Sequence, residues 1–527
     1  MQPVPESIIC LNEVKSLHEI IDPLFLELVS RCEVSDGDFH GVEGAIGDFI
    51  AKLRPLLVSS GLKVCMESSF RGYHCPQCEA YLTPWGRRGR HFVTSQGSAD
   101  VSVVRYRCTQ CSCDYYPVLE ANGLTGTRFT LGARERIVSQ ATENPYADVS
   151  KALPELGITV SAKEVDRHVR QAFDYYEGPL RQEVEWYRQN QEAQTASTFL
   201  SENELAQLPG SSRAERILQN CGIGKPQIFS EPRSLFHWPN WEDVRWAQVS
   251  VDGAFVRSSE RDEVGKLKWF GENSGLIRAF EPTREGAKQY RLDAQTFHVA
   301  GVMTLDDTFD RLFGVLEQCP RSVENVVYVS DDGQGLLTRA REYLNRAARR
   351  RFKQVILMLD CYHASQHVGT GAAAIWGADH ETVKWWKENA ISILKDPGGV
   401  QRILRTFLLA LRNSNVYALA DKEVLEREFR YLWRNRHYMK YALWILMGLP
   451  IGSGAMESGV KQVCVKRLRQ PGMMWTKEGA NAMLHLRAAH LSGILTTSFE
   501  LEREEHRKKR NKFLAPTKAV KAYSAAV

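Results

Sequence analysis

Trp246-Ala-Gln-Val-Ser-Val-Asp-Gly-Ala-Phe-Val256 is the stretch from which the fold follows. Its apolar residues are β-branched or aromatic and Gly253 interrupts the run, so it reads as a central strand. One carboxylate, Asp252, sits inside it. An unpaired buried charge is very costly, so Asp252 is either neutralised by a neighbour or holds a cation. Taken alone, a buried ion pair is the ordinary reading. The pattern recurs, however. Val326-Val-Tyr-Val-Ser-Asp-Asp-Gly-Gln-Gly335 ends an apolar run in Asp331 and Asp332, then enters a helical pattern at Leu336, Leu337, Ala340, Tyr343 and Leu344. Val355-Ile-Leu-Met-Leu-Asp-Cys-Tyr-His363 repeats it and adds Asp360 and His363. Three apolar strands ending in or near Asp fit an α/β sheet with carboxylates at its carboxyl edge. Magnesium needs such oxygen ligands from separate elements. Paired ions about 4 Å apart activate a nucleophile and stabilise a leaving oxygen in phosphodiester chemistry.

The 527 residues suffice for about three to four domains, and the composition is globular. A net charge of +5 is mildly basic and by itself says little, since many cytosolic enzymes share it. The start, Met-Gln-Pro-Val-Pro-Glu, has no basic run and no apolar signal segment. The apolar stretch from Tyr441 to Met447 is too short to span a bilayer, so no membrane partner and a cytoplasmic location are expected. Of 12 cysteines, five fall between Cys75 and Cys113, which argues for metal rather than disulfides.

Residues 1–70 read as helical, with a packing or dimerisation role. Residues 71–127 carry Cys75-Pro-Gln-Cys78 and Cys108-Thr-Gln-Cys111 with short β-like runs between them. Two such knuckles match a four-thiolate zinc ribbon, with His74 and Cys113 as alternative or supporting groups. Arg87, Arg88, Arg90 and His91 read as a turn between the knuckles, either a solvated basic loop or a phosphate contact. Residues 128–180 show three helical patterns. Gly157 fits a C-cap and Ser161 with Glu164 a capping box. The last helix bears Lys163, Arg167, His168 and Arg170, the order of a helix-turn-helix DNA-binding domain, though any small three-helix bundle looks similar. Residues 181–245 read as a connector with a polar helix from Glu183 to Gln194. The sheet domain spans 246–371, with further strands at Leu267 to Phe270 and Phe297 to Met303 and a helix at Leu305 to Leu316. Residues 372–449 turn helical, and their aromatics are ordinarily core.

Residues 450–492 open on the end of Gly448-Leu-Pro-Ile-Gly-Ser-Gly-Ala-Met-Glu-Ser458, a glycine-rich turn before a helix with Glu457 in its first turn. Such a Glu is by default a dipole-stabilising surface residue. Here Lys461, Lys466, Arg467 and Arg469 follow, then Trp475, which points to a carboxylate aimed into a phosphate-binding cleft. Residues 493–527 read as a basic tail, solvated or in non-specific DNA contact.

Five stretches together resemble the bacterial insertion-sequence transposases of the ISKra type, within the Mutator-like group. They are Val-Ser-Val-Asp252-Gly, Val-Ser-Asp331-Asp-Gly-Gln-Gly-Leu, Leu-Asp360-Cys-Tyr-His363-Ala-Ser-Gln-His, Gly-Leu-Pro-Ile-Gly-Ser-Gly-Ala-Met-Glu457-Ser and Lys-Arg-Leu-Arg-Gln-Pro-Gly-Met-Met-Trp475. The resemblance covers about residues 70 to 490 and is most specific at Glu457. It implies an RNase H-like catalytic core with a helical insertion, behind the zinc ribbon and helix-turn-helix. It implies an Asp-Asp-Glu triad of Asp252, Asp331 and Glu457 holding two magnesium (or manganese) ions, with Asp360 and His363 as an accessory Asp-x-x-His element. The implied partners are double-stranded DNA, as terminal inverted repeats and as target, and further copies of the chain in a dimer or larger complex. The implied reaction is cleavage at transposon ends and joining of the 3′-hydroxyl to target DNA. Asp331 keeps the spacing to Gly335-Leu336 and is preferred to Asp332. The rival readings are a domesticated, non-catalytic DNA-binding regulator and a nuclease that cuts without joining.

Overall fold

The structure is a computed structural model and describes residues 8–34, 38–68, 73–197, 236–282, 289–348, 352–413 and 419–513. The chain divides into two compact units, Met1–Tyr175 with Thr496–Val527, and Tyr176–Leu495.

In the first unit, helices Ile8–Val34 and Phe39–Ser68 pair through Phe25 and Phe49, whose ring centroids are 6.2 Å apart. An antiparallel sheet follows, made of β1 (Leu82–Thr94), β2 (Gly97–Cys108) and β3 (Asp114–Tyr115). Phe92, Val101 and Val103 pack its buried side against Val118 and Leu119. Arg87, Arg88 and Arg90 lie within β1, opposite Val104, Val103 and Val101, and not in a turn. The turn falls later, between Thr94 and Gly97, where Gly97 takes φ +126°, a value L side chains rarely adopt.

Helices Leu131–Glu143 and Tyr146–Ala152 come next, then Ala162–Ser197, of which residues 162–175 belong to this unit. The expected polar connector helix is the latter part of this last one, and residues 198–235 of the connector lie outside the described residues. Gly157 sits at φ 72° and ends the turn Leu153–Leu156. The capping box forms in both directions: Ser161 N–H donates to Glu164 Oε2 at 2.9 Å, and Glu164 N–H to Ser161 Oγ at 3.3 Å.

Residues 496–511 of helix Leu495–Asn511 belong to this unit and correct the reading as a tail. Glu502 is buried and ion-paired with buried Arg134, and Phe513 packs among Tyr73, Cys75, Leu82 and Cys108. A run of charged residues hides this, because the partner that neutralises Glu502 is far away in the chain. Residues 514–527 lie outside the described residues.

The second unit is built on a mixed sheet. Its strands are β4 (Trp246–Arg261), β5 (Leu267–Glu281), β6 (Gln289–Tyr290), β7 (Phe297–Gly301), β8 (Asn325–Ser330) and β9 (Gln354–Leu359). The order is β6-β5-β4-β8-β9, with β7 also on β5. β5 is antiparallel to β4, β6 and β7, whereas β4, β8 and β9 run parallel. Helices Leu305–Glu317 and Leu336–Ala348 are the crossovers that parallel neighbours require. β8 is buried along its whole length. β5 is much longer than expected. Asn273-Ser-Gly275 disguises its second half, where a Cβ on Gly275 would stand 2.8 Å from Leu312 Cδ2.

Helices Cys361–Trp376, Glu381–Lys395, Gly399–Arg412, Lys422–Asn435 and Tyr441–Leu446 follow β9. The chain then returns to the sheet through helix Gly454–Val460, a π-helical turn Lys461–Val465, and the buried helix Lys477–Leu491. Among the described residues no helix is long and apolar enough to cross a membrane.

Candidate active site

The sheet register aligns the aspartates. Trp246 stands opposite Asn325 and Val249 opposite Tyr328; Asn325 stands opposite Gln354 and Ser330 opposite Leu359. Asp331 and Asp360 directly follow Ser330 and Leu359, and Asp252 lies three residues past Val249 on β4, so all three stand toward the carboxyl end of the parallel pairing.

Asp252 is half-buried, and its Oδ1 accepts from Gly253 N–H at 2.7 Å. Burial raises its pKa above the ordinary carboxylate value. Asp331 and Glu457 raise it further, and His363 opposes them. Asp331, Glu457 and His363, from three other elements, therefore act on one carboxylate. Asp331 Oδ1 accepts from Gly333 N–H at 2.9 Å. Asp332 has a different part: in a left-handed conformation, φ 61°, its Oδ1 accepts from Leu337 N–H at 3.1 Å and caps the following helix. Glu457 is exposed in the first turn of its helix.

Among the described residues, only four cysteines bring three or more ligand atoms within 4.8 Å of one another. The carboxylates do not close that tightly. An all-oxygen donor set whose like charges raise one member's pKa suits hard divalent cations.

Asp360 is 3% exposed, and its oxygens are already engaged. Oδ1 accepts from Tyr362 N–H at 2.6 Å and His363 N–H at 3.1 Å, capping helix Cys361–Trp376. Oδ2 accepts from Ser453 N–H at 2.6 Å and from the Ser453 hydroxyl. Asp360 is thus a positioning residue that ties β9 to the loop before Glu457. Gly452 is needed in that loop, since a Cβ there would lie 2.7 Å from Tyr362 Cε2.

His363 belongs to a chain of groups that sequence reasoning missed. Its Nε2 is 3.1 Å from His367 Nε2, and His367 Nδ1 is 2.5 Å from Glu428 Oε2. Arg427 Nε donates to Glu428 Oε1 at 2.9 Å. Tyr431 stacks on His367, centroids 3.8 Å apart, and its hydroxyl donates to the Asp331 carbonyl at 2.7 Å. The i, i+4 spacing of His363 and His367 was a usable signal. Glu428 and Tyr431 come from helix Lys422–Asn435 and carried none.

The basic residues after Glu457 divide. Lys461 and Lys466 are exposed, as is Arg469, whose Nε donates to the Phe255 carbonyl at 2.6 Å. Two expected DNA contacts are corrected. Arg467 is 1% exposed, and its guanidinium lies 5.1 Å from the Trp475 ring centre. Trp475 is buried, its indole N–H donates to the Leu468 carbonyl at 3.1 Å, and its backbone N–H donates to the Arg257 carbonyl at 3.0 Å. Trp475's backbone holds the loop to β4, while its buried indole, which needs its N–H satisfied, finds the Leu468 carbonyl.

In the first unit Cys75, Cys78, Cys108 and Cys111 converge. Cys75 and Cys111 sulfurs are 3.6 Å apart, and Cys78 and Cys108 3.4 Å. Tetrahedral zinc with bonds of about 2.3 Å sets sulfurs about 3.8 Å apart, so the cluster fits zinc. Gln110 and Cys111 N–H both donate to Cys108 Sγ. Cys113 Sγ is directed to Gln77 Oε1 at 3.5 Å, and His74 packs on Tyr81; neither belongs to the cluster. Arg87 and Arg88 are exposed on β1, whereas Arg90 is half-buried 6.0 Å from the Tyr116 ring centre. Lys163 and Arg167 are exposed, and Arg170 pairs with Asp166 at 3.0 Å. His168 is 1% exposed and packs edge-on against Phe129, which makes it core rather than a DNA contact.

No family model matches the chain, and no curated protein matches it. Among solved structures it aligns with the Drosophila P element transposase strand transfer complex at 10% identity and a TM-score of 0.24, over 77% of this chain and 88% of that one. A TM-score that low bears on neither fold nor activity.

Proposed function

We propose that this chain is a DNA transposase of the Asp-Asp-Glu kind, with β4 to β9 as its RNase H-like core and the helices after β9 as the insertion. One observation carries the reading: Asp252, Asp331 and Asp360 stand toward the carboxyl end of parallel β4, β8 and β9, Ser453 ties the loop before Glu457 to Asp360, and burial, then Asp331 and Glu457, raise the Asp252 pKa. Asp252, Asp331 and Glu457 would hold the magnesium or manganese ions. Bound there, the ions would activate water, later the 3′-hydroxyl, and stabilise the leaving oxygen. Asp360 holds the Ser453 loop so that Glu457 enters at the right end of its helix. His363, fixed by His367, would contact the scissile phosphate or orient a ligand.

Zinc on the four cysteines would stiffen the β1–β2 hairpin and so present Arg87 and Arg88 to phosphate. Lys163 and Arg167, on the last helix of the three-helix segment, are suited to the same partner. Lys461, Lys466 and Arg469 would offset phosphate charge beside the carboxylates. The proposed setting is the bacterial nucleoid, with two or more copies bridging paired ends.

The test incubates the full chain with magnesium or manganese and duplex DNA taken from either side of its gene. Cleavage leaving 3′-hydroxyl ends, and joining of those ends to a second duplex, is the expected result. Cleavage without joining would leave a nuclease. Binding without cleavage under either metal would leave a regulator.

A further inference from the structure

A polar cavity of about 340 Å³ lies beside the helix that carries Glu457, and neither Glu457 nor Asp252 lines it. Ala455, Ser458, Gly459 and Gln462, at i, i+3, i+4 and i+7, form one wall. Arg278 of β5 and His298 of β7 stand in the other. The Arg278 guanidinium lies 4.0 Å from the Tyr290 ring centre, which supports its flat face and leaves its N–H edge for an acceptor. Its Nε is buried without a hydrogen-bond partner among the described residues. Burial without pairing lowers the Arg278 pKa, the mark of an uncompensated cation.

The surroundings do not supply the missing charge. The acid on the wall is Asp293, and both its oxygens already accept from Arg291, at 2.9 and 2.8 Å. Behind the wall, buried Arg487 donates from Nε to the Gln462 carbonyl at 3.2 Å. Burial, together with Arg487 and Arg278, holds His298 down to about 4, so it is neutral near pH 7 and can donate from a ring nitrogen. A guanidinium, an imidazole and the Gln462 amide thus border one cavity with no free carboxylate among the described residues.

We propose that this cavity binds a phosphate group, with Arg278 as its principal ligand. A planar guanidinium fork matches a tetrahedral oxyanion, and the volume admits a phosphate with part of its sugar. Binding there would brace the helix that carries Glu457. The phosphate is that of a DNA backbone or of a free phosphoanion. The proposal goes beyond the transposase reading and does not need it, because occupancy is measured without cleavage.

The experiment is calorimetric titration of the full chain with inorganic phosphate at constant ionic strength, with chloride as the reference anion. One phosphate per chain is expected. Arg278→Gln should weaken it about tenfold or more, the worth of a hydrogen bond to a charged group. Gln462→Glu puts a carboxylate at the exposed end of the wall and should abolish binding, even if the Arg278 variant misfolds. Displacement of phosphate by short duplex DNA assigns the site to backbone phosphate, and persistence assigns it to a free phosphoanion. No uptake by the wild type, or equal uptake by both folded variants, overturns the proposal.

Discussion

Ser453 holds Asp360 twice, by its backbone N–H at 2.6 Å and by its hydroxyl, both on Oδ2. The other oxygen caps helix Cys361–Trp376, so one buried carboxylate fixes the end of β9, the start of that helix and the loop before Glu457. Asp360→Ala removes a cap and strands buried N–H donors. It should cost about 2–4 kcal/mol of stability by urea unfolding. Asp360→Asn can keep the cap but turns an N–H₂ toward the Ser453 N–H, so it should lose cleavage while staying folded. Wild-type cleavage by Asp360→Asn would show that the loop does not depend on this carboxylate.

Adjacent aspartates should behave oppositely. Asp331→Asn should abolish strand cleavage and leave end-DNA binding intact, as should Asp252→Asn and Glu457→Gln. Asp332→Asn keeps an acceptor for Leu337 N–H and tolerates φ 61°, so it should cleave near the wild-type rate. A gel assay of 3′-end release separates the two, and the reverse ranking would move the site to Asp332.

Glu428 should matter although it touches no carboxylate of the proposed triad. Its bond to His367 orders the ring that in turn meets His363. Glu428→Gln should slow cleavage about 10- to 100-fold, the usual range for a partner behind a ligand. DNA affinity and melting temperature should hold, and the effect should vanish in a His363→Ala background. An undiminished effect there would mean Glu428 acts by another route.

The four-cysteine cluster should carry one zinc per chain by elemental analysis. Chelation, or Cys108→Ser, should expose thiols to a colorimetric reagent and melt the β1–β2 hairpin, because the metal's binding energy is folding energy there. Amide exchange is the readout. Unchanged protection after complete zinc removal would mean the ribbon stands without metal.

Acid should weaken the first unit through His168. Burial, then the charges of Arg134 and Arg167, hold its pKa near 4, against an ordinary 6.5. Between those values the unfolded chain binds a proton that the folded chain refuses, so stability falls as pH drops from 6.5 toward 4 and is complete above 6.5. His168→Phe, which also packs against Phe129, should flatten that limb of the melting curve. An acid limb as steep as the wild type's would place the sensitivity elsewhere.

The amino-acid order by itself settled what depends on near neighbours. Strands at Val249, Val326 and Val355, the paired cysteine knuckles and the Ser161–Glu164 box are short-range patterns, and the backbone obeys them. The tertiary structure alone decided which charges are buried and by whom they are met. Arg467 and Trp475 read as DNA contacts until a carbonyl and a ring close over them. Glu502 finds Arg134, Glu428 finds His367, and Ser453 finds Asp360, each across a long stretch of chain. The physical reason is that a side chain's spacing along the backbone is fixed locally, whereas the cost of its charge is set by whatever the fold brings opposite it.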